Sequence, residues 1–460
     1  MTSLKGKKLA LIFGLSIEGA GATRNGSEMQ HWCDKNGVQF KIFSYDESKF
    51  TREESHKISY TKFNKYNLKE VVDELNTYDI VMFNTYPFPK VGQEAYENFY
   101  HNFVKKITAL KVGFMHEINK VIIDKIPYIL GLMNEMDMIY TFGVDTWFSK
   151  NTSTLLPSKK PNERIKKFTM WFNFELLEEY RKTIQLDDKE KKMLYLGRFV
   201  STKDVPRVLN LGAEILKKDS NFKTIIRGID TSIGAKVSVL DHPNAINYIP
   251  KEPKVNSNGC VPVYGPYVRD EGMNEMAHSL FGVSFWNMQK RGIEEYGDRM
   301  EYTQIETIAV GTIPVFDKHW GENNRTLDGR RYIDIPYSAI YCDRENLNET
   351  VDKLIEVANN KELQEKYRNT SYNLAKQEFD ASIVLPKMFN EMLAIGKDKK
   401  KFKSDDELLL AATGHPEFVK DAKELIEQGE TIVFGYRELP NKILSVTDGS
   451  KQKEIKKYKK

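Results

Sequence analysis

The sequence predicts an α/β protein of two Rossmann-like domains, and three observations lead to that fold class. The chain has 460 residues, which is enough for two or three domains with separate cores. Short apolar runs, typical of buried parallel strands, alternate with helical segments on both sides of residues 156–167. Residues 156–167 contain prolines and charges, which is the composition of a linker. We therefore expect one α/β domain before this segment and another after it.

Composition places the chain among ordinary globular proteins. Its residues are 40% hydrophobic and 29% charged. No apolar run approaches the ~18 residues that a membrane span needs, and the lysine-rich N-terminus passes directly into a strand-like run. We therefore expect neither a membrane span nor a signal peptide. Three widely spaced cysteines without metal-ligand spacing favour a reduced cytoplasmic setting: Cys33, Cys260 and Cys342.

Positive charge is concentrated in three segments. The net charge is +4, yet residues 451–460 alone hold six lysines and one glutamate. Two further clusters lie within 397–403 and 159–167. Such runs are typical of solvated tails and linkers, and they are also what a phosphate backbone attracts. Composition leaves both interpretations open.

The first half opens like a dinucleotide-type βαβ unit. A strand over 8–13 runs into the glycine-rich segment 14–23, and a helix and a strand over 38–43 follow. Further strands are predicted over 79–84, 111–116 and 136–141, with helices around 96–110 and over 121–133. The glycines serve either to make a tight turn or to let backbone N–H groups approach an anionic ligand.

His116 and Glu117 lie at the end of the strand over 111–116. Open α/β sheets bind their ligands at the carboxyl ends of the strands, so these two residues are candidates for a site. The alternative is a histidine whose ring is satisfied by the backbone at a strand end.

The second half repeats the alternation. Its predicted strands cover 193–198, 224–229, 245–249, 261–267, 281–286, 312–316 and 339–342, and its predicted helices cover 205–216, 345–358 and 381–395. Residues 404–442 resemble a small helical or α/β appendage, and the tail from 446 has the composition of a disordered segment.

The stretch from Asp298 to Phe316 carries the strongest motif. It predicts a short helix, a stop at Gly311 and a buried strand, with Glu301 and Glu306 on the helix. Carboxylates are favourable near a helix N-terminus, and an ionised carboxylate accepts hydrogen bonds from sugar hydroxyls. The alternative is an amphipathic helix with solvated glutamates.

These motifs resemble those of GT-B glycosyltransferases. The pattern Glu-x-x-Ala-x-Gly-x-x-Pro-Val at 306–315 resembles the segment that holds the ribose and the donor sugar of a nucleotide-sugar. More closely, residues 301–306, 311–316 and 321–323 resemble the DNA alpha-glucosyltransferase family of T-even bacteriophages. The glycine-rich loop, Glu18-Gly-x-Gly-x-Thr23, shares that family's pattern. The resemblance covers residues 7–396 in scattered blocks.

The resemblance implies the GT-B architecture, in which two Rossmann-like domains face a central cleft. Residues 1–165 would form the acceptor (DNA) domain and residues 166–380 the UDP-sugar domain. Residues 381–400 would form a helix that returns to the first domain. Residues 401–460 would form the appendage and basic tail.

The resemblance also assigns the site. Gly197-Arg198 at a strand end, with Lys203 following, resembles the GT-B diphosphate clamp, in which cations stabilise the leaving diphosphate. A surface arginine and lysine without this role are the alternative. Glu306 would accept hydrogen bonds from the ribose hydroxyls, and Glu301 would lie near the donor sugar. Asp298 is the alternative to Glu301 for that second position. The remaining implied positions are His116 and Glu117 beside the donor sugar, Tyr264 and Gly265 at the nucleobase, and Glu18, Gly19 and Gly21 in the glycine-rich loop.

The implied activity is a retaining transfer from a UDP-sugar to 5-hydroxymethylcytosine in double-stranded phage DNA, which protects the DNA from host nucleases. The donor would be UDP-glucose, or UDP-arabinose in a pentose-using branch. With a cationic clamp no metal is required, and no Asp-x-Asp motif occurs where the donor would bind. No nucleophile stands out, which favours front-face transfer. We expect a monomer in the cytoplasm of the infected host, bound to no membrane.

Two other functions remain open from the sequence. A GT-B glycosyltransferase acting on a glycan or lipid acceptor predicts a basic amphipathic helix for membrane docking. A DNA-binding module with a vestigial fold predicts the loss of Arg198, Lys203 or Glu306, all of which are present.

Overall fold

A computed structural model describes thirteen stretches of the chain. They are residues 4–14, 21–45, 60–64, 66–84, 102–115, 135–141, 165–199, 203–229, 242–247, 254–255, 261–264, 269–285 and 300–395. The predicted helix over 121–133, the appendage and the basic tail lie outside these residues. The chain divides into two compact units, Met1–Trp171 with Ala381–Lys460, and Phe172–Asp380.

The first unit is built on a seven-stranded parallel sheet. Its order is β3-β2-β1-β4-β5-β6-β7. The order reverses between β1 and β4, which is where open α/β sheets place a ligand crevice. The strands are β1 Lys8–Gly14, β2 Gln39–Tyr45, β3 Tyr60–Phe63, β4 Ile80–Asn84, β5 Leu110–Met115, β6 Met138–Thr141 and β7 Ile165–Lys167.

Three described helices belong to the first unit: α1 Gly21–Lys35, α2 Leu68–Leu75 and α10 Ala381–Ile395. Helix α1 buries Met29, Trp32 and Cys33, as its sequence pattern predicts. Helix α10 packs on this unit, since the Trp32 and Phe389 rings lie 5.9 Å apart. The Tyr140 hydroxyl of β6 also donates to Glu391 Oε2 at 3.0 Å.

The second unit is built on an eight-stranded sheet of order β11-β10-β12-β9-β8-β13-β14-β15. All of its pairings are parallel except that of β10 with β11. The strands are β8 Glu190–Arg198, β9 Lys223–Ile229, β10 Ala245–Asn247, β11 Lys254–Val255, β12 Val261–Tyr264, β13 Ser279–Ser284, β14 Ile313–Asp317 and β15 Ile340–Cys342.

Seven described helices cover the second sheet. They are α3 Glu178–Thr183, α4 Val205–Lys218, α5 Arg269–Ala277, α6 Tyr302–Ala309, α7 Lys318–Asn323, α8 Leu347–Ala358 and α9 Lys361–Phe379. Helix α6 ends at the predicted stop, because Gly311 has a φ of 78°, a conformation that favours glycine. A Cβ on Gly311 would also lie 2.9 Å from Arg368 Nε.

The α/β class is confirmed, and each predicted strand within the described stretches is present to within a few residues. Two local predictions are wrong. The sequence predicts a helix around 96–110. In the described part of that range, residues 102–110, the chain instead forms a single 3-10 turn, Val104–Lys106, before β5 begins. Residues 165–167, predicted as linker, form β7 because they pair with β6. Helix α9 was not predicted, since its sequence is too polar for a clear apolar stripe.

Candidate active site

The candidate site lies at the carboxyl edge of the second sheet. Strand β8 has β9 on one side and β13 on the other, so the strand order reverses beside it. Ligands of open α/β sheets bind outside the carboxyl ends of strands at such a reversal. The predicted diphosphate arginine, Arg198, is the last residue of β8.

Arg198 is exposed at this edge and its backbone is held in place. The Tyr195 hydroxyl donates to the Arg198 carbonyl at 2.9 Å. A Cβ at position 197 would lie 2.8 Å from that hydroxyl, so only glycine leaves room for the hydrogen bond. In the part of the chain that the structure describes, no carboxylate forms an ion pair with the Arg198 guanidinium, which therefore faces solvent with its charge available for an anion.

Lys203 and Glu301 form an ion pair. Lys203 is buried, with 7% of its surface exposed, and Glu301 is partly exposed. Glu301 precedes α6 as its N-cap residue, and its backbone N–H donates to Gln304 Oε1 at 2.7 Å. The helix N-terminus therefore favours the carboxylate, and the carboxylate holds the ammonium. An ammonium has three donors, so Lys203 can serve an anionic ligand without leaving Glu301.

Glu306 is also paired, although with a residue that the sequence did not single out. Arg269, the first residue of α5, donates to Glu306 Oε1 from Nε at 3.2 Å and from Nη2 at 3.1 Å. Glu306 is buried on α6, so the alternative of a solvated glutamate does not hold for it. Because 37 residues separate the two partners, no local pattern announces the pair.

A partly buried network of charges lies directly beside Lys203, and the sequence did not indicate it. Arg207 on α4 contacts Asp204 Oδ2 from Nε at 3.1 Å and also pairs with Asp317 at the end of β14. The Arg207 guanidinium carbon lies 4.1 Å from the centre of the Phe285 ring. Arg344 Nη2 approaches Asp204 Oδ2 to 3.6 Å. Two carboxylates and two guanidiniums therefore balance one another.

Tyr264 ends β12 beside Arg227 of β9, its partner in the strand register. The Arg227 guanidinium carbon lies 5.1 Å from the centre of the Tyr264 ring, and Arg227 Nε lies 2.5 Å from Glu275 Oε2. The glutamate holds the guanidinium against the aromatic ring, a favourable arrangement. The tyrosine predicted at the nucleobase therefore has a fixed neighbour.

The predicted site residues of the second unit that the structure describes lie on the α6 segment, at strand ends of one sheet, or just before α4. Glu301 and Glu306 lie on one helix segment, Lys203 contacts the first of them, and Arg198 and Tyr264 end strands of the same sheet. Gly21 begins α1 in the first unit. The other predicted positions lie outside the described residues: Glu18, Gly19, His116, Glu117, Gly265 and the reserve Asp298.

The described stretches hold no group of three or more histidine, cysteine, aspartate or glutamate residues that could bind a metal ion. Among the same residues, no helix has both the length and the apolar character needed to cross a membrane.

Comparison with known proteins agrees with the motifs. A model of the DNA alpha-glucosyltransferase family matches residues 20–362. The DNA alpha-glucosyltransferase of Enterobacteria phage T4 is 22% identical over 403 residues, which cover 83% of this chain and 99% of that protein.

Solved structures share the fold. An alpha-glucosyltransferase in complex with UDP-glucose and DNA containing an abasic site has a TM-score of 0.70 at 19% identity, covering 84% of this chain and 99% of that chain. An alpha-glucosyltransferase with UDP and a 13-mer DNA containing a HMU base has a TM-score of 0.70 at 20% identity, covering 84% of this chain and 100% of that chain. These matches confirm the predicted GT-B fold class.

Proposed function

The chain belongs to the DNA alpha-glucosyltransferase family, and from this premise we propose that it transfers glucose from UDP-glucose to 5-hydroxymethylcytosine in double-stranded DNA. The observation that carries the proposal is the family match over residues 20–362, which contains the paired Lys203 and Glu301. Solved alpha-glucosyltransferases of the same fold hold UDP-glucose or UDP together with DNA. Their ligands support the same donor and acceptor classes here.

The donor diphosphate would bind at the carboxyl edge of the second sheet. Arg198 ends β8 with an exposed guanidinium, and Lys203 brings a buried ammonium. Arginine can bridge two phosphate oxygens, while lysine acts as a point charge. Together they would stabilise the negative charge that grows on the leaving diphosphate.

The nucleoside and the sugar would be held by the α6 segment and the end of β12. Glu306 is buried and fixed by Arg269, and its carboxylate would accept from the ribose hydroxyls. Glu301, at the N-terminus of α6, would accept from the donor sugar. Tyr264 and Gly265 would pass the nucleobase, and Glu18, Gly19 and Gly21 would approach the donor from the glycine-rich loop.

The transfer would retain the configuration at the sugar. The bond from C1 to the β-phosphate oxygen breaks, and a bond from C1 to the hydroxymethyl oxygen forms on the same face. The proton of the attacking hydroxyl passes to the departing phosphate oxygen, so no protein nucleophile is required. His116 and Glu117 would orient the acceptor and the sugar.

The acceptor base must leave the duplex to react. Lys203 and Glu306 are buried, so a stacked base would not reach the donor sugar. Enzymes that modify bases extrude the target nucleotide at a cost of a few kcal/mol. We assign DNA binding to the first unit, with its boundary at Trp171 rather than at the expected 165, and UDP-sugar binding to the second unit, Phe172–Asp380. The packing of α10 on the first unit supports the assignment of 381–400 to a returning helix.

The sugar and the biological outcome are the finer parts of the proposal. Glucose is favoured by the family, while a pentose such as arabinose differs only by an exocyclic CH₂OH, which one or two side chains admit or exclude. The product would shield phage DNA from host nucleases, because the added sugar fills the major groove. Digestion of modified and unmodified DNA by a panel of endonucleases tests this protection.

Mass spectrometry of nucleosides tests the activity directly. Hydroxymethylated duplex DNA is incubated with the protein and, separately, UDP-glucose, UDP-arabinose and other UDP-sugars, and the DNA is digested to nucleosides. A hexose added to 5-hydroxymethylcytosine supports the proposal. A pentose added there would change the assigned donor from UDP-glucose to a UDP-pentose. Transfer to lipid or oligosaccharide acceptors, without any transfer to DNA, would overturn the assignment of DNA as the acceptor.

A further inference from the structure

Asp204 has an unusual backbone conformation next to the proposed diphosphate lysine. Its φ is 45° and its ψ is 43°, in the left-handed region that residues other than glycine seldom adopt. Asp204 is the N-cap residue of α4, a position where an aspartate normally has extended backbone and accepts a hydrogen bond from the helix. Here the side chain makes no capping hydrogen bond. Asp204 therefore does not contribute the helix-capping hydrogen bond that an aspartate usually makes at this position.

The Asp204 carboxylate instead joins the partly buried charge network. It faces Arg207 Nε at 3.1 Å and Arg344 Nη2 at 3.6 Å. Arg207 is fixed in turn by Asp317, which ends β14 and accepts from the Trp320 N–H at 3.2 Å. The left-handed residue is thus attached, through one arginine, to β14, which lies between β13 and β15 in the sheet.

We propose that Asp204 is a positioning residue for Lys203, because its anchored left-handed backbone sets the direction in which the preceding residue leaves the chain. Lys203 immediately precedes Asp204 and pairs with Glu301, which lies 98 residues further along the chain. A single left-handed residue between Lys203 and α4 reverses the local course of the chain. The proposal rests on the proposed function, since it treats Lys203 as the lysine of the diphosphate clamp.

The strained conformation has a physical reason to persist. Left-handed backbone is unfavourable for a residue with a Cβ, and aspartate tolerates it better than most. Such conformations persist where surrounding contacts enforce them, and they are concentrated at functional sites. The two arginines supply the enforcing contacts. A lysine has a long flexible side chain, which loses conformational entropy when it is fixed. If the backbone that carries it is already rigid, less entropy is lost when the UDP-sugar binds.

The competing explanation is that the network only braces α4 against β14. In that case the effect of changing Asp204 would be the same whether or not Lys203 is present. A positioning role predicts the opposite, because a residue that acts through Lys203 has nothing to position once the ammonium is removed. Non-additivity between neighbouring residues is what a double-mutant cycle measures.

The experiment compares three substitutions of Asp204 in two backgrounds, wild type and Lys203→Ala. Asp204→Ala removes the carboxylate and disfavours the left-handed backbone. Asp204→Gly removes the carboxylate but allows that backbone, and Asp204→Asn keeps an acceptor and tolerates it. Asp317 still balances Arg207 in all of them, so folding is retained, and thermal unfolding verifies it. Glu214→Ala, which removes a partly exposed carboxylate paired with Lys217 on the same helix, is the matched control.

Two readouts are taken: UDP affinity by titration calorimetry, and kcat and KM for UDP-glucose. With Lys203 present, Asp204→Ala is expected to weaken UDP binding and lower kcat/KM at least tenfold. Asp204→Asn should stay within threefold of wild type, and Asp204→Gly should fall between them. In the Lys203→Ala background all three should lie within twofold of one another. Glu214→Ala should match wild type.

Equal losses from Asp204→Ala in both backgrounds would overturn the positioning role, as would wild-type UDP affinity in both Asp204→Ala and Asp204→Gly. UDP affinity that is unchanged by Lys203→Ala would remove the clamp and the positioning role together. If the wild type transfers no sugar to hydroxymethylated DNA, the proposed function fails, while the UDP titrations still decide whether Asp204 acts through Lys203.

Discussion

Lys203 and Glu301 form an ion pair although 98 residues separate them in the chain. The lysine follows β8 and the glutamate precedes α6, so the pair joins the two segments that the motifs assign to the diphosphate and to the donor sugar. In the proposed clamp, the ammonium would already be held by Glu301 before a diphosphate binds. A preorganised charge costs no rearrangement when the transition state forms.

The clamp is tested by Arg198→Ala and Lys203→Ala. Each should lose about 2–4 kcal/mol of transition-state stabilisation, because each removes a cation aimed at the developing charge. The measurement is kcat/KM for UDP-glucose, with thermal unfolding as the test of folding. Lys217→Ala, an exposed lysine on α4, is the control and should behave as wild type. Near-normal turnover in both variants would remove the diphosphate assignment.

The ribose contact is tested by Glu306→Gln. The amide keeps the size of the side chain and an acceptor for Arg269, but it accepts more weakly from the ribose hydroxyls. UDP affinity should therefore fall about tenfold. The wild type should bind the 2′,3′-dideoxy analogue of UDP more weakly than UDP by a similar factor. The variant should bind the analogue almost as well as it binds UDP. Equal penalties in the two proteins would show that Glu306 does not touch the ribose, and Glu349→Gln on α8 serves as the control.

The acceptor step is tested by salt and by mismatches. Activity on hydroxymethylated duplex should fall steeply as salt rises, because phosphate contacts release counterions. A mismatch opposite the target base should raise the rate, since extrusion then costs less. Lys397 to Lys403 are the first candidates for the phosphate contacts, and Lys451 to Lys460 the second.

Deleting residues 451–460 is the matching variant. The salt dependence should become shallower while UDP affinity stays unchanged, because the tail carries charge but no donor residue. A rate that is independent of salt in the full chain would exclude phosphate contacts as a source of affinity.

Lys189 predicts a pH dependence of stability. Burial, together with Arg368, Arg181 and Lys192, lowers the pKa of Lys189 from 10.5 to about 7. Between these values the unfolded chain binds more protons than the folded protein, so stability should rise with pH, by on the order of 1 kcal/mol per unit. The free energy of unfolding in urea at pH 7.5, 8.5 and 9.5 measures this slope.

The variant for that test is Lys189→Met, which keeps the apolar stem and removes the titrating group. Its slope should be smaller, because no group at this position then changes protonation between the folded and the unfolded state. Lys217→Met should keep the wild-type slope. An unchanged slope in Lys189→Met would show that another group titrates.

The order of strands and helices was accessible from the sequence wherever the pattern is local. Residues 8–13 and 193–198 are apolar runs whose length and composition decide for a buried strand. Helix α9 was not predicted because its buried face contains Tyr367, Arg368 and Tyr372 rather than an aliphatic stripe. Its N-cap, Asn360, which accepts from the Leu363 N–H at 3.1 Å, was a signal that could have located its start.

The sequence by itself determined the fold class, the family and the identity of Arg198, Lys203, Glu301 and Glu306 as candidates, because short motifs and apolar periodicity are properties of neighbouring residues. Only the tertiary structure decided their partners. Arg269 meets Glu306 across 37 residues, and Arg207 meets Asp317 across 110. Ion pairs at such separations leave no periodicity in the chain, since they depend on which strands lie side by side in the sheet. The left-handed backbone of Asp204 is decided partly in the same way, because Arg344, one of the two arginines that face its carboxylate, comes from the segment after β15.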